Sequence, residues 1–348
     1  MYYQAAGMAY PRGFGADFLV EFYDRHLEQW TGGYAITLSA GQWVIYTMQG
    51  EITFRSSIRG RLGMGVHFVE KSRRAPTYLT PLELMQKWDW AFGSDIQGLT
   101  HDEENWYFSR TEYGAGGANF GQLGTRARDE LAKRPRAEPP GLLVFPHFGA
   151  LTYANGHLFV ATDEGAGTKT AQVAVYDTNL ELIGTQELGP GPCGWIAFNP
   201  RDGHFYAPDG HRSGWLVRYE IGVEGDDIEV RRLGSIFLAP GVDNVQGGAF
   251  SERGVLWLFG TVKNLPLHIY AVDVQNGRVY PRGLVEVKKN RNPDEWEAEG
   301  IAVWDLTTAE SAEWDGHIHL QVLRNRNPLL YNDEVFYMHL RANRPEAL

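Results

Sequence analysis

The sequence predicts an all-β fold, a six-bladed β-propeller, and three observations carry that prediction. The stretch ALTYANGHLFVA at Ala150–Ala161 reads as two short apolar strands around a tight Asn155-Gly156 turn. Related stretches recur roughly every fifty residues: AITLSAGQWVIY at Ala35–Tyr46, GLTHDEENWYFS at Gly98–Ser109, WIAFNPRDGHFYA at Trp195–Ala207, GGAFSERGVLWLFG at Gly247–Gly260 and GIAVWDL from Gly300. Between them lie short β-rich runs broken by Gly, Asn and Asp, without the three-and-four apolar spacing of helical repeats.

A small residue marks the middle of each first strand: Thr37, Thr100, Thr152, Ala197, Ala249 and Ala302, at steps of 63, 52, 45, 52 and 53 residues. Blades then start near 35, 98, 150, 195, 247 and 300, and one domain spans 1–348. Third and fourth strands are expected at 172–177 and 180–188, 215–221 and 228–236, and 267–274 and 278–287. The last unit resumes as HIHLQVL at His317 and ends with EVFYMHL at 334–340. That unit is one strand short, and DFLVEFYD at 17–24 stands alone, so this N-terminal strand is expected to close the ring and remove an open edge.

Two insertions interrupt the pattern. The segment 80–92 carries helix-start signals, with Thr80 as N-cap, Pro81 in the first turn and Glu83 three residues after the cap. The segment 112–141 opens with the glycine-rich YGAGGANFGQLG, expected as a loop, and continues as TRARDELAKR, expected as a short helix stopped by Pro135, with a strand at LLVF 142–145. Its glycines lack the spacing and the following Lys-Ser/Thr of a phosphate loop.

Composition narrows the function. Apolar residues make up 43% of the 348, enough for a packed core, and the net charge of −11 argues against nucleic acid or an anionic membrane as partner. Cys193 is the only cysteine, which excludes an intrachain disulfide and a cysteine zinc cluster and reads as a buried, inert thiol. The N-terminal stretch has no basic region followed by an apolar run, and no stretch reaches the length of a membrane helix, so a cytoplasmic protein acting on a small molecule is expected. Monomer and dimer stay open.

Residues just before each first strand converge at one end of a propeller axis. Five places before the small residue stand Gly32, Asp95, His147, Pro192, Asn244 and Glu297; three places before it stand Tyr34, Gln97, Gly149, Gly194, Gln246 and Glu299. Carboxylate and amide oxygens from separate blades suit a hard cation, calcium or magnesium, with Glu299, Glu297, Asp95 and Asn244 as metal-side groups. Such an ion would polarise an ester or lactone carbonyl, and His147 would act as base. Gln97, Gln246 and Tyr34 would contact the ligand, with Trp195 and Trp296 as an apolar wall. A water-filled channel would also be lined by these polar groups, and that reading stays open here.

Loops on the same face offer a second tier, in which Asp209, His211 and Arg212 put an acid, a base and an anion clamp side by side. Trp106 and Trp257 fall at packing positions of second strands.

At GIAVW, preceded by Glu299, the sequence resembles the first-strand Glu-Gly motif of six-bladed lactonases of the regucalcin and gluconolactonase kind, and of phytase-like esterase propellers. The resemblance implies that Glu299 binds a divalent metal, with Asn244 a looser counterpart. Taken together, the residues and the resemblance point to a metal-assisted hydrolase of an ester or lactone. A non-catalytic propeller binding a protein or glycan on the same face, and a metal-free isomerase or cyclase, are the alternatives.

Overall fold

The computed structural model describes residues 4–9, 16–24, 29–38, 44–49, 51–56, 79–88, 96–113, 119–128, 136–137, 147–163, 170–210, 214–239, 242, 244–261, 267–285, 296–307, 316–324 and 334–342. It describes the backbone alone before residue 96 and at 112–113, 119–120, 136–137, 163, 281, 284 and 334. The chain, expected above as one domain, divides into two compact units, residues 1–78 with 280–282, and most of the remainder.

In the first unit, β1 (Gln4–Ala9) pairs with β4 (Val44–Gln49), while β2 (Ala16–Asp24) lies between β3 (Gln29–Leu38) and β5 (Glu51–Ser56). The stretch 35–46 therefore does not fold as the hairpin its likeness to ALTYANGHLFVA suggests. β2 takes the pairing edge of β3, and β4 pairs elsewhere. The first of the six expected blades, starting near 35, is thereby lost.

The second unit is a five-bladed propeller. Its first blade runs β7 (Ile96–His101), β8 (Asn105–Tyr113), β9 (Asn119–Ala127) and β10 (Arg136–Ala137); the second runs β11 (His147–Ala154), β12 (His157–Asp163), β13 (Thr170–Asp177) and β14 (Leu182–Pro190). The third holds β15 (Ala197–Asn199), β16 (His204–Pro208), β17 (Trp215–Glu224) and β18 (Asp227–Phe237), and the fourth β19 (Val245–Phe250), β20 (Leu256–Gly260), β21 (Leu267–Asp273) and β22 (Arg278–Val285). The fifth joins β23 (Trp296–Val303), β24 (Ile318–Arg324) and β25 (Glu334–Ala342) to β6 (Leu79–Trp88).

Closure thus falls to β6, not to the strand at 17–24. β6 pairs antiparallel with β25, from Ala342 opposite Leu79 to Val335 opposite Trp88. Over 80–88 the helix expected at 80–92 is this strand, and 89–92 lie outside the described residues. The alternation of Leu82, Leu84 and Trp88 fits a strand as well as the first turn fits a helix, and an edge strand tolerates Pro81 where a central strand would not. Local capping signals lost to an open edge that needed a partner.

From Asn119 the glycine-rich stretch is strand, because β9 begins there and pairs along β8, while 114–118 lie outside the described residues. A Cβ on Gly121 would strike the Phe148 ring of the second blade, so that glycine marks a close packing contact rather than a mobile loop. The expected helix at 125–134 begins inside β9, with the remainder beyond Arg128, like the strand expected at 142–145, outside the described residues.

The Asn155-Gly156 turn behaves as its sequence demands. Both residues have positive φ, 50° and 83°, and they form a two-residue loop with Ala154 paired to His157. Below the blades, Asp102 and Asp202 cap their turns and accept hydrogen bonds from the Tyr107 and Tyr206 hydroxyls, 2.7 and 2.6 Å away.

Five glycines bring the inner strands together. A Cβ on Gly98 would meet Ala150, one on Gly149 the Gly194 carbonyl, one on Gly247 the Glu299 carbonyl and one on Gly300 the Leu99 backbone, all inside 3.0 Å, and Gly194 faces Val245. These contacts run once around the ring, β7 to β11, to the start of β15, to β19, to β23 and back to β7. The marked small residues stitch the same joints: Thr100 Oγ1 accepts from Tyr153 N at 3.1 Å, and Thr152 Oγ1 from Phe198 N at 3.2 Å.

Seams between blades are filled with apolar side chains. Phe148, Leu151 and Tyr107 pack between the first and second blades, Ile196, Phe205 and Phe159 between the second and third, and Trp195, Phe250 and Leu256 between the third and fourth.

A direct check follows from the close contacts. Gly149→Ala should cost about 1–3 kcal/mol in urea denaturation, the range for overpacking a rigid site. Gly222→Ala, where an added Cβ meets nothing within 4 Å, should change stability by less than about 0.5 kcal/mol.

Candidate active site

The positions singled out on the first strands share one backbone feature. Each of β7, β11, β19 and β23 shifts register by one residue, between Ile96 and Gly98, Phe148 and Leu151, Val245 and Gly247, and Ala298 and Ile301. The extra residue is Gln97 in β7 and Gln246 in β19; in β11 and β23 it falls within Gly149-Ala150 and Glu299-Gly300. A bulge re-aims the side chain it carries and ends regular pairing. Four blades therefore present their third-before position at the same level of the ring, and three of those positions are polar. In the third blade, β15 starts only at Ala197 and carries no such bulge.

The ring is narrow there, since β11 and β19, which are not ring neighbours, still approach within 8 Å between Cα atoms. Glu299 is 2% exposed. Gln97, Gln246, His147 and Glu297 are half-buried, and Asn244 is exposed. The Gln246 amide oxygen lies 3.7 Å from where a Cβ of Gly194 would stand, which directs this side chain towards the start of the third blade. Asn244 takes a left-handed backbone, φ 51°, and its carbonyl accepts from Thr261 N at 3.0 Å.

The other candidates separate from this group. Tyr34 belongs to β3 in the first unit, because the first of the six expected blades does not form. Asp95, His211 and Arg212 lie outside the described residues. Asp209 is drawn into the seam between the second and third blades, where its side chain is 9% exposed and meets Arg232 Nη2 at 3.3 Å. It lines a cavity of about 10 Å³ with Cys193, Tyr219 and Arg232, room for one water molecule and not for a substrate.

The tryptophans lie in packing positions. Trp195 is 1% exposed, set so close to Gly248 that a Cβ there would touch its ring. Trp296 is 6% exposed, packed at a tilt against Phe336 and covered by the Arg324 guanidinium 5.2 Å from its ring. Trp106 and Trp257 are fully buried.

Among the described residues, no group of three or more acidic, histidine or cysteine side chains is close enough to share a metal ion. Of the expected cation set, Glu297, Glu299 and Asn244 are described, and Asp95 is not.

Sequence reasoning missed the polar groups sealed inside the fifth blade and its seam with the first. Gln321 donates to the Tyr337 hydroxyl at 2.9 Å, His319 meets His339, and Arg110 donates to Gln122. The alternation of His317 and His319 in HIHLQVL places both on one face of a strand, a signal legible in advance; their partner His339, twenty residues on, was not.

No protein-family model matches the sequence, and no curated protein matches it. Solved structures with a similar chain path include a GH43 β-1,3-galactosidase (8% identity, 76% of this chain and 62% of that one, TM-score 0.48). A xylan β-1,4-xylosidase from Bacillus halodurans shares 10% identity over 73% of this chain and 54% of its own, at TM-score 0.46. The PQQ-bound aldose sugar dehydrogenase of Streptomyces coelicolor shares 11% over 78% and 100%, at 0.40. The assignment as a propeller rests on the strand pairing described above.

Burial of Cys193 has a plain consequence. At 1% exposure, with its Sγ donating to the Trp195 carbonyl at 3.2 Å, the thiol should not react with a disulfide reagent in the native protein and should react stoichiometrically in denaturant.

Proposed function

We propose that this propeller is a hydrolase of a small ester or lactone, working at the strand-start end of its axis. The observation that supports this reading is the bulge shared by four first strands, which falls at Gln97, Gln246 and the Glu299-Gly300 step on three of them, with His147 at the start of the fourth.

In this reading His147 takes a proton from water as the water oxygen attacks the carbonyl carbon. The amide N–H groups of Gln97 and Gln246 stabilise the oxyanion that forms. When the tetrahedral intermediate collapses, the carbon–oxygen bond to the leaving group breaks, and the alkoxide takes the proton back from His147. The products are an alcohol and a carboxylic acid, joined in one molecule if the substrate is a lactone.

Calcium or magnesium remains a proposal that depends on Asp95. It would join Glu297, Glu299 and Asn244 as an oxygen ligand; no step above is routed through an ion.

The test is a panel of aryl esters and lactones. Hydrolysis above the buffer rate, lowered roughly 10²-fold or more by His147→Gln at unchanged melting temperature, is the expected result. No turnover by the unmodified protein on any member, or full activity in His147→Gln, removes the hydrolase reading. Separately, calcium or magnesium should raise the melting temperature, and Glu299→Gln should abolish that rise. An unchanged melting temperature removes the ion alone.

A further inference from the structure

The seam between the fifth and first blades differs from the others, because histidines are sealed into it. His319 on β24 and His339 on β25 are 0% and 2% exposed, and their Nδ1 atoms lie 2.7 Å apart. His319 Nε2 lies 2.8 Å from the Trp304 carbonyl. A carbonyl only accepts, so Nε2 of His319 carries the proton and its Nδ1 is a bare acceptor. His339 must then donate from Nδ1, which leaves its Nε2 bare, and that buried nitrogen finds no hydrogen-bond partner among the described residues.

Neither ring can take a second proton in place. A proton on His319 Nδ1 would set two N–H groups against each other across 2.7 Å, and one on His339 Nε2 would create a buried donor with nothing to receive it. His339 is also where β25 meets β6, paired with Leu82 beside the break in register at Tyr337.

We propose that the joint closing the ring, where β6 lies along β25, is an acid-sensitive latch held shut by the neutral His319–His339 pair.

The surroundings of the pair are consistent with this. His101 on β7 stacks on Trp304 at 4.1 Å, and its two nitrogens face the Asp102 and Val303 carbonyls, so a proton there would leave no donor unpaired. His317 lies 3.8 Å from Asp305 and its Nδ1 accepts from Ala342 N. Other titratable groups on the packed strands include Arg324 on β24, Glu334, Tyr337 and Arg341 on β25, Arg110 on β8, Glu297 and Glu299 on β23, and Glu83 and Lys87 on β6. Among the described residues no carboxylate is hydrogen-bonded to the pair to hold an imidazolium there.

Burial, and after it the charge on His339, pushes the pKa of His319 well below 6.5, and burial alone lowers His339 to about 4. The open state therefore binds protons near pH 6.5 that the closed state refuses until much lower pH. Closure is fully favoured above about 6.5 and weakens as pH falls towards 4. The opening equilibrium should grow about tenfold per pH unit for each histidine that gains its proton only on opening.

Backbone amide exchange of the whole protein between pH 7 and 5, corrected for intrinsic rates, tests this. Amides of β6, β24 and β25 should lose protection steeply while those of β12, β13 and β20 do not. His339→Gln, which keeps a donor towards His319 and cannot titrate, should flatten that dependence by about tenfold per pH unit. In the unmodified protein, C2–H exchange of the His339 ring should show a midpoint below about 5. A midpoint near 6.5, or fifth-blade amides opening in step with the second and fourth blades, overturns the latch.

Discussion

Backbone against backbone at the centre of the ring is the contact on which the architecture depends. At Gly98, Gly149, Gly247 and Gly300 a side chain of even one carbon would push neighbouring inner strands apart. The chain accepts the entropic cost of glycine at these positions and gains a ring tight enough for Ala150 N to donate to the Gly194 carbonyl at 2.8 Å. The bulges belong to the same solution. Strands that approach so closely must turn off regular pairing as they leave the axis, and the extra residue at that turn is where Gln97, Gln246 and Glu299 emerge. The candidate site is thus a by-product of how the ring closes on itself.

Much of this was legible because local chemistry and final structure agree. Asn155-Gly156 needs positive φ at both residues and receives it, and the later blades fold close to where their alternating runs predict. The failures share one cause, competition from a distant strand. The stretch 35–46 looks like a blade hairpin, but β2 is a better partner for β3. Thr80, Pro81 and Glu83 spell a helix start, but β25 offers an open edge. The glycines near 121 read as a loop because the reason for one of them, the Phe148 ring, lies in another blade. Of the candidate site, the positions were found by aligning repeats, whereas the bulges that aim them were invisible, since a one-residue shift in pairing leaves no mark on composition.

The last seam is the exception among the joints described. Elsewhere the contacts between blades are mainly apolar, and none of the other seams described seals a histidine pair. At the seam where the two ends of the ring meet, hydrophobic packing of Trp106, Phe108 and Leu323 is interleaved with histidines and a Gln321–Tyr337 hydrogen bond. Polar groups sealed in this way fix one register between strands at the cost of sensitivity to protonation.

The central claim is that β6, and not the strand at 17–24, completes the fifth blade. Paired cysteines read it directly, because opposite residues of antiparallel strands are near enough to bridge. In a Cys193→Ser background, Thr80→Cys with Arg341→Cys should form a disulfide under mild oxidation, since these residues are register partners. Failure of that pair to cross-link, while Val20→Cys with Arg341→Cys succeeds, would contradict the five-bladed ring and return closure to the N-terminal strand.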